Sequence, residues 1–294
     1  MITVSDAFWK FHGRLETTDT EDATASQRQQ KLRGQLDEAF EIVTDFLTGA
    51  YRRHTKTKPL RDVDIMIVLR DTSYLAMHPR KILEEVRKAL AVHYGDARVC
   101  TDRRAVRVDF GAGHVDDLTG EVTSFDVVPA FEEGDHYLIP DDRLGIWVPT
   151  NPKIHAELAT TANKNFDGQW KPLVKMIKKW NHVHGSPAGP SFLIEVMALE
   201  LITGTWTGSH AYELRQFFAS AADRITDGWP DPARVGPDIS DVLDTDPAKM
   251  RGARAALRDA EAACTKAILL DRQGRTGEAL TVWRSLFGEL FPSS

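Results

Sequence analysis

Between Ser26 and Thr48 the apolar residues Leu32, Leu36, Ala39, Phe40, Val43 and Leu47 recur at three- and four-residue spacing. That pattern predicts an amphipathic helix over the span, with Gly49 where a helix often ends. From Ala50 to Arg61 the chain turns polar, with Pro59 near the end of the stretch. Asp62 to Leu69 alternates charged and β-branched residues and then runs apolar, as a strand does. A helix is predicted over Arg80–His93. Strands follow over Ala97–Thr101, Ala105–Phe110 and Thr123–Ala130, with a Gly- and Asp-rich turn at Gly111–Gly120 before the last of them.

Past Asn151-Pro152 the pattern becomes helical. Asn as a cap and Pro in the first turn form a helix start. Helices are predicted over Pro152–Ala162, Phe166–Val183, Ser191–Ile202 and Ala211–Ala222. A loop rich in Asp, Pro and Gly covers Thr226–Asp246. Asp246-Pro247 repeats the start signal and opens a helix to about Asp271, and a short helix near Glu278–Leu290 closes the chain. The expected architecture is α+β. Residues 1–150 form a mixed sheet with flanking helices, including an N-terminal helix, and residues 151–294 form a helical lobe that closes a cleft.

Bulk properties narrow the partners. A net charge of −6 argues against a long nucleic acid, which calls for a basic excess, but leaves room for a small phosphorylated substrate on a local basic patch. The two cysteines, Cys100 and Cys264, form neither a disulfide framework nor a zinc cluster, which suits a reducing cytoplasm. Met1–Gly13 has no apolar run of signal-peptide length. The most apolar window, Phe192–Ile202, contains Glu195 and Glu200, so no membrane span is expected.

The candidate chemistry starts at Asp62-Val63-Asp64. On a strand both carboxylates point to one face, with Cα atoms about 6.6 Å apart, while Val63, Ile65 and Ile67 face a core. Two acids that close repel unless a cation sits between them, and Mg²⁺ with its hard oxygen ligands suits them. Taken alone, the same pattern also describes a solvated strand edge. Ser124-Phe125-Asp126-Val127-Val128 offers a third acid, and three acids on adjacent strands can hold two metal ions. On the Phe166–Val183 helix, Phe166, Trp170, Leu173, Ile177 and Trp180 form one stripe. Lys171, Lys175 and Lys178 lie opposite, as a solvated face or as a binding face for a triphosphate. No Walker loop, His-Glu-x-x-His or Gly-x-Ser-x-Gly is present.

Gly49-Ala50-Tyr51, Arg53-His54-Thr55, Pro59 and Asp62-Val63-Asp64, taken in order, resemble the opening motif of the polymerase-β-like nucleotidyltransferases. More closely, they resemble the bacterial cGAS/DncV-like branch (CD-NTases), related to cyclic GMP–AMP synthase and oligoadenylate synthetase. Phe125–Ala130 resembles the strand with the third acid, Lys175–Trp180 the helix that contacts the donor triphosphate, and Pro190–Glu195 the segment after it.

The resemblance implies a polymerase-β-like core plus a C-terminal helical lobe. It implies Asp62, Asp64 and Asp126 as catalytic metal ligands for two Mg²⁺ or Mn²⁺ ions. Nucleotide contacts would come from Gly49, Ala50, Tyr51, Lys175, Lys178, Ser191 and Phe192. The implied substrates are NTPs (ATP, GTP or pyrimidine NTPs), joined by attack of a 3′- or 2′-hydroxyl on an α-phosphate. The implied product is a cyclic di- or trinucleotide for anti-phage (CBASS) signalling, under control of a regulatory protein partner. The rival readings are a relative acting on tRNA or another macromolecule, and a catalytically weak nucleotide-binding scaffold. The family's usual Gly-Ser is Gly49-Ala50 here, so one side-chain donor to the triphosphate is missing.

Overall fold

The computed structural model describes residues 2–58, 63–110 and 124–293. The chain divides into two compact units. One comprises Thr17–Ala156 and Ala233–Pro237, the other Met1–Glu16, Glu157–Pro232 and Asp238–Ser294. The first sixteen residues thus belong with the helical unit.

The first unit contains helix α2 (Asp19–Asp37), strand β1 (Ile42–Leu47), the short helix α3 (Gly49–Arg52), β2 (Val63–Leu69) and α4 (Arg80–Tyr94). Strands β3 (Val99–Thr101), β4 (Val106–Asp109), β5 (Ser124–Glu133), β6 (His136–Asp141) and β7 (Ile146–Thr150) follow. The sheet order is β1-β2-β5-β4-β3, and β6 bridges the far part of β5 to β7. Among the described residues only the β2–β5 pairing is parallel, so the sheet is mixed.

Alternation along β2 and β5 divides the side chains between two faces. Val63, Ile65, Ile67, Phe125 and Val127 pack with Leu32 and Leu36 of α2 and with Ile82, Val86 and Leu90 of α4. Met66, Val68 and Ala130 pack on the other face with Tyr137, Ile139 and Val148. Asp64 and Asp126 therefore share this second face.

Two expectations are corrected. The helix predicted over Ser26–Thr48 ends at Asp37, and Ile42–Leu47 is an edge strand paired antiparallel with β2 (Thr44↔Val68, Leu47↔Ile65). Its β-branched and aromatic residues suit a strand, and their spacing continued the helical period by coincidence. Gly49 follows that strand and opens α3 at φ +61°, so it does not end a helix. The sequence pattern also missed β6 and β7. The turn at Gly111–Gly120 lies outside the described residues.

The second unit contains α1 (Val4–Leu15), most of α5 (Pro152–Asn165), α6 (Trp170–Val183), α7 (Ser191–Leu201), α8 (His210–Arg224), α9 (Asp241–Asp244), α10 (Pro247–Arg272) and α11 (Thr276–Phe287). The start signals work as read. Asn151 Oδ1 accepts from the Ile154 N–H at 3.2 Å, and Asp246 accepts from Ala248 and Lys249 at 3.0 and 3.2 Å. Between α5 and α6 the chain passes through positive φ at Asp167 and Gly168, which shortens the predicted Phe166–Val183 helix to Trp170–Val183. The core is aromatic: Phe8, Phe11, Trp170, Trp180, Phe218, Trp283 and Phe287 are all buried. Among the described residues no helix is long and apolar enough to cross a membrane.

Candidate active site

Asp64 and Asp126 are direct partners in the parallel β2–β5 register. Adjacent strands lie about 4.8 Å apart, so two carboxylates on one face are neighbours. Asp62 lies outside the described residues. Among the described residues no group of three or more His, Cys, Asp or Glu side chains forms a metal cluster. Asp64 and Asp126 are thus the described part of the expected triad, and their hard oxygen donors fit Mg²⁺ or Mn²⁺.

The turn after β1 closes on this pair. The Thr48 N–H donates to the Asp64 carbonyl at 2.8 Å. At Gly49 a Cβ would overlap the Asp64 carboxylate, and φ is +61°, so both space and conformation require glycine. Ala50 is half-buried beside it. The Tyr51 hydroxyl points to α2 instead, donating to Asp22 Oδ1 at 3.0 Å. Burial, then the hydrogen bond and negative charge of Asp22, push the Tyr51 hydroxyl up to about 12.

A cation already meets Asp126. Arg107, opposite it on β4, donates from Nε to Oδ1 at 3.0 Å and from Nη2 to Oδ2 at 3.2 Å. This is the bidentate geometry that arginine favours with carboxylates. The sequence pattern missed Arg107. Its only signal is a charged residue between Val106 and Val108, and its partner lies nineteen residues on.

The lysines lie in the helical unit. Lys175 and Lys178 are buried, at 3% and 7% exposure, so they do not form a solvated face. Lys178 Nζ donates to Glu195 of α7, itself buried, and Lys175 Nζ donates to Glu16 Oε2 at 2.6 Å. Lys171 is half-buried, and burial followed by the charge of Lys175 lowers its pKa. Ser191 is the exposed first residue of α7, and Phe192 packs partly into the helical core. Glu16 and Glu195 are further residues that the pattern did not connect to the lysines.

The chain has relatives in sequence and in fold. The family model of the Second Messenger Oligonucleotide or Dinucleotide Synthetase domain matches residues 1–163. The chain is 27% identical over 286 residues to a probable cyclic nucleotide synthase of Bacillus cereus strain VD146, covering 83% of this chain and 81% of the relative. It is 26% identical over 324 residues to a cyclic AMP-AMP-AMP synthase of Acinetobacter sp. strain ATCC 27244 / 9458, covering 100% of this chain and 87% of the relative. In fold it matches the solved E. coli MS115-1 CdnC:HORMA-deltaN complex, with a TM-score of 0.72 at 17% identity over 98% of both chains. The family match takes in the opening turn and both acids and extends over more than half the sequence. The chain therefore belongs to the Second Messenger Oligonucleotide or Dinucleotide Synthetase family, as a nucleotidyltransferase.

Proposed function

We propose that the protein condenses ATP, alone or with a second NTP, into a cyclic di- or trinucleotide and releases pyrophosphate. The observation that carries this reading is the in-register pair Asp64 and Asp126, with Gly49 packed against Asp64.

The family uses divalent metal ions. Here we assign Asp62, Asp64 and Asp126 to hold two Mg²⁺ or Mn²⁺ ions, which would supply charge for the attacking hydroxyl and the leaving pyrophosphate. The backbone of Gly49–Tyr51 receives donor phosphates through its N–H groups, and Ala50 leaves room without adding a hydroxyl. Lys175 and Lys178 offset the triphosphate charge, and Ser191 and Phe192 contact nucleotide. A 3′- or 2′-hydroxyl of the acceptor forms the new P–O bond at the donor α-phosphorus, and the bond to pyrophosphate breaks.

ATP is the first substrate to test because the Acinetobacter relative is a cyclic AMP-AMP-AMP synthase. A HORMA-type protein is proposed as regulator because the E. coli neighbour was solved with one. The proposed setting is cytoplasmic anti-phage signalling.

The test is to incubate purified protein with labelled ATP, GTP, CTP and UTP and Mg²⁺ or Mn²⁺, treat with phosphatase, and weigh what survives. A phosphatase-resistant product with the mass of a cyclic oligonucleotide is expected. A product that phosphatase destroys, or label transferred to an added tRNA instead, would overturn the proposal.

A further inference from the structure

We infer that Glu16 is an internal counter-ion of Lys175 that the donor triphosphate displaces, so that the end of the N-terminal helix sets nucleotide affinity. The inference rests on the proposed role of the lysines of α6 as triphosphate ligands.

Both lysines are neutralised within the helical unit, but by unlike partners. Lys178 meets Glu195, and both side chains are at most 7% exposed. That pair is sealed, because separating it would leave a charge stranded in the core. Lys175 is 4% exposed, whereas its partner Glu16 is 43% exposed. Glu16 already reaches water and can turn outward once a phosphate takes its place on Lys175, and Lys175 cannot.

The position of Glu16 is otherwise unfavourable. It is the C-cap of α1, where the carbonyl end of a helix disfavours a negative charge. Lys175 and His12 compensate: His12 Nε2 lies 2.7 Å from Glu16 Oε1. Burial raises the carboxyl, but the hydrogen bonds from His12 and Lys175 and their charges outweigh it and bring the group down to about 2. Glu16 is therefore ionised whenever a nucleotide arrives, and its charge opposes the incoming phosphates. The rest of α1 is anchored on its own account by Val4, Ala7, Phe8, Phe11 and Leu15, all buried. Displacing Glu16 does not require displacing the helix.

The cluster of Lys171, Lys175, Lys178, Glu16 and Glu195 carries one net positive charge with Glu16 in place and two with Glu16 turned out. A polyanion gains from that change.

The test uses the full chain and a non-reactive donor, α,β-methylene ATP with Mg²⁺, titrated by calorimetry. Glu16→Gln keeps the shape and removes the charge. It is expected to bind the analogue about three- to fivefold more tightly, as befits one partly exposed ion pair. Mere structural damage would weaken binding, so tightening is a signature that a packing role cannot produce. In a Lys175→Met background the same Glu16→Gln change should have a clearly smaller effect, because the part that acts through Lys175 is gone. If Lys175→Met leaves affinity unchanged, the lysine reading itself fails. If Lys175→Met weakens binding while Glu16→Gln leaves it unchanged or weaker, the lysine reading stands and the counter-ion inference is overturned.

Discussion

Each unit pairs a functional candidate with an opposite charge, and the two pairs differ in exposure. Asp126 in the strand-bearing unit is met by Arg107, which is 41% exposed, while Lys178 in the helical unit is met by Glu195 with both partners under a tenth exposed. Exposed pairs contribute about 0–1 kcal/mol and exchange readily. A buried pair that loses one member costs about 3–5 kcal/mol. Under the proposed function Asp126, itself 14% exposed, exchanges its more exposed arginine for a metal ion, whereas Lys178 is held where the fold puts it. One unit offers an adaptable ligand and the other a fixed charge.

The largest effect expected is chemical. Asp64→Asn and Asp126→Asn should each reduce product by at least about a thousandfold, since a lost metal ligand removes several kcal/mol of transition-state stabilisation. Circular dichroism should show the fold retained. Near-normal turnover in either variant would remove the acids from the site and with them one side of the comparison.

The buried pair is tested by stability. Lys178→Met leaves Glu195 buried without its charge partner and should cost about 3–5 kcal/mol in urea unfolding. Adding Glu195→Leu should recover most of that, because a well-packed apolar pair replaces buried ions at little cost. The double variant should still bind donor nucleotide poorly. Recovery of both stability and affinity would make the pair purely structural.

A pH titration separates the two units. His210 in the helical unit is 4% exposed, and burial, then the charge of His12, lowers it from its ordinary 6.5 to about 4. The unfolded chain then binds more protons between those values. The contribution is present above about 6.5 and is lost as pH falls towards 4. One such group amounts to about 3 kcal/mol. Asp141 in the other unit has the same sign but a lower pH window. Burial raises its carboxyl, but Arg103, Arg104 and the Leu144 N–H outweigh this and lower it, so its contribution persists until pH falls below the ordinary carboxylate range. Between pH 6.5 and 4 the helical unit should lose protection in hydrogen exchange first, and His210→Phe should flatten that response.

The same contrast explains what could be read from the sequence. β2, β5 and the helices opened by Asn151-Pro152 and Asp246-Pro247 follow from local alternation and caps, and the structure places them within a few residues of expectation. β1 could not be read, because Val43 and Leu47 continue a helical spacing and only pairing with β2 reveals the strand. The lysine partners were hidden for a related reason: Glu16 lies 159 residues from Lys175, and Glu195 sits on a different helix from Lys178. Distant pairing leaves no local signature.

The smallest effect expected is at Ala50, and it probes the adaptable side of the comparison. Gly49 has no room for a Cβ, because the Asp64 carboxylate occupies that space. Ala50 is the next residue of α3 and is half-buried, so it is the first position in the turn able to carry a side chain beside the acids. A methyl group there donates nothing, so under the proposed function the backbone N–H groups of the turn meet the donor phosphates. Ala50→Ser adds one neutral hydroxyl, worth about 0.5–1.5 kcal/mol net if it reaches a phosphate. Donor KM should therefore fall by about two- to tenfold, with product unchanged in identity. Ala50→Leu should block nucleotide while leaving the thermal midpoint within a few degrees, because the position is not in the core. If Ala50→Ser leaves KM unchanged and Ala50→Leu is tolerated, the turn does not carry the donor phosphates, and the acids would have to be served from another side of the sheet.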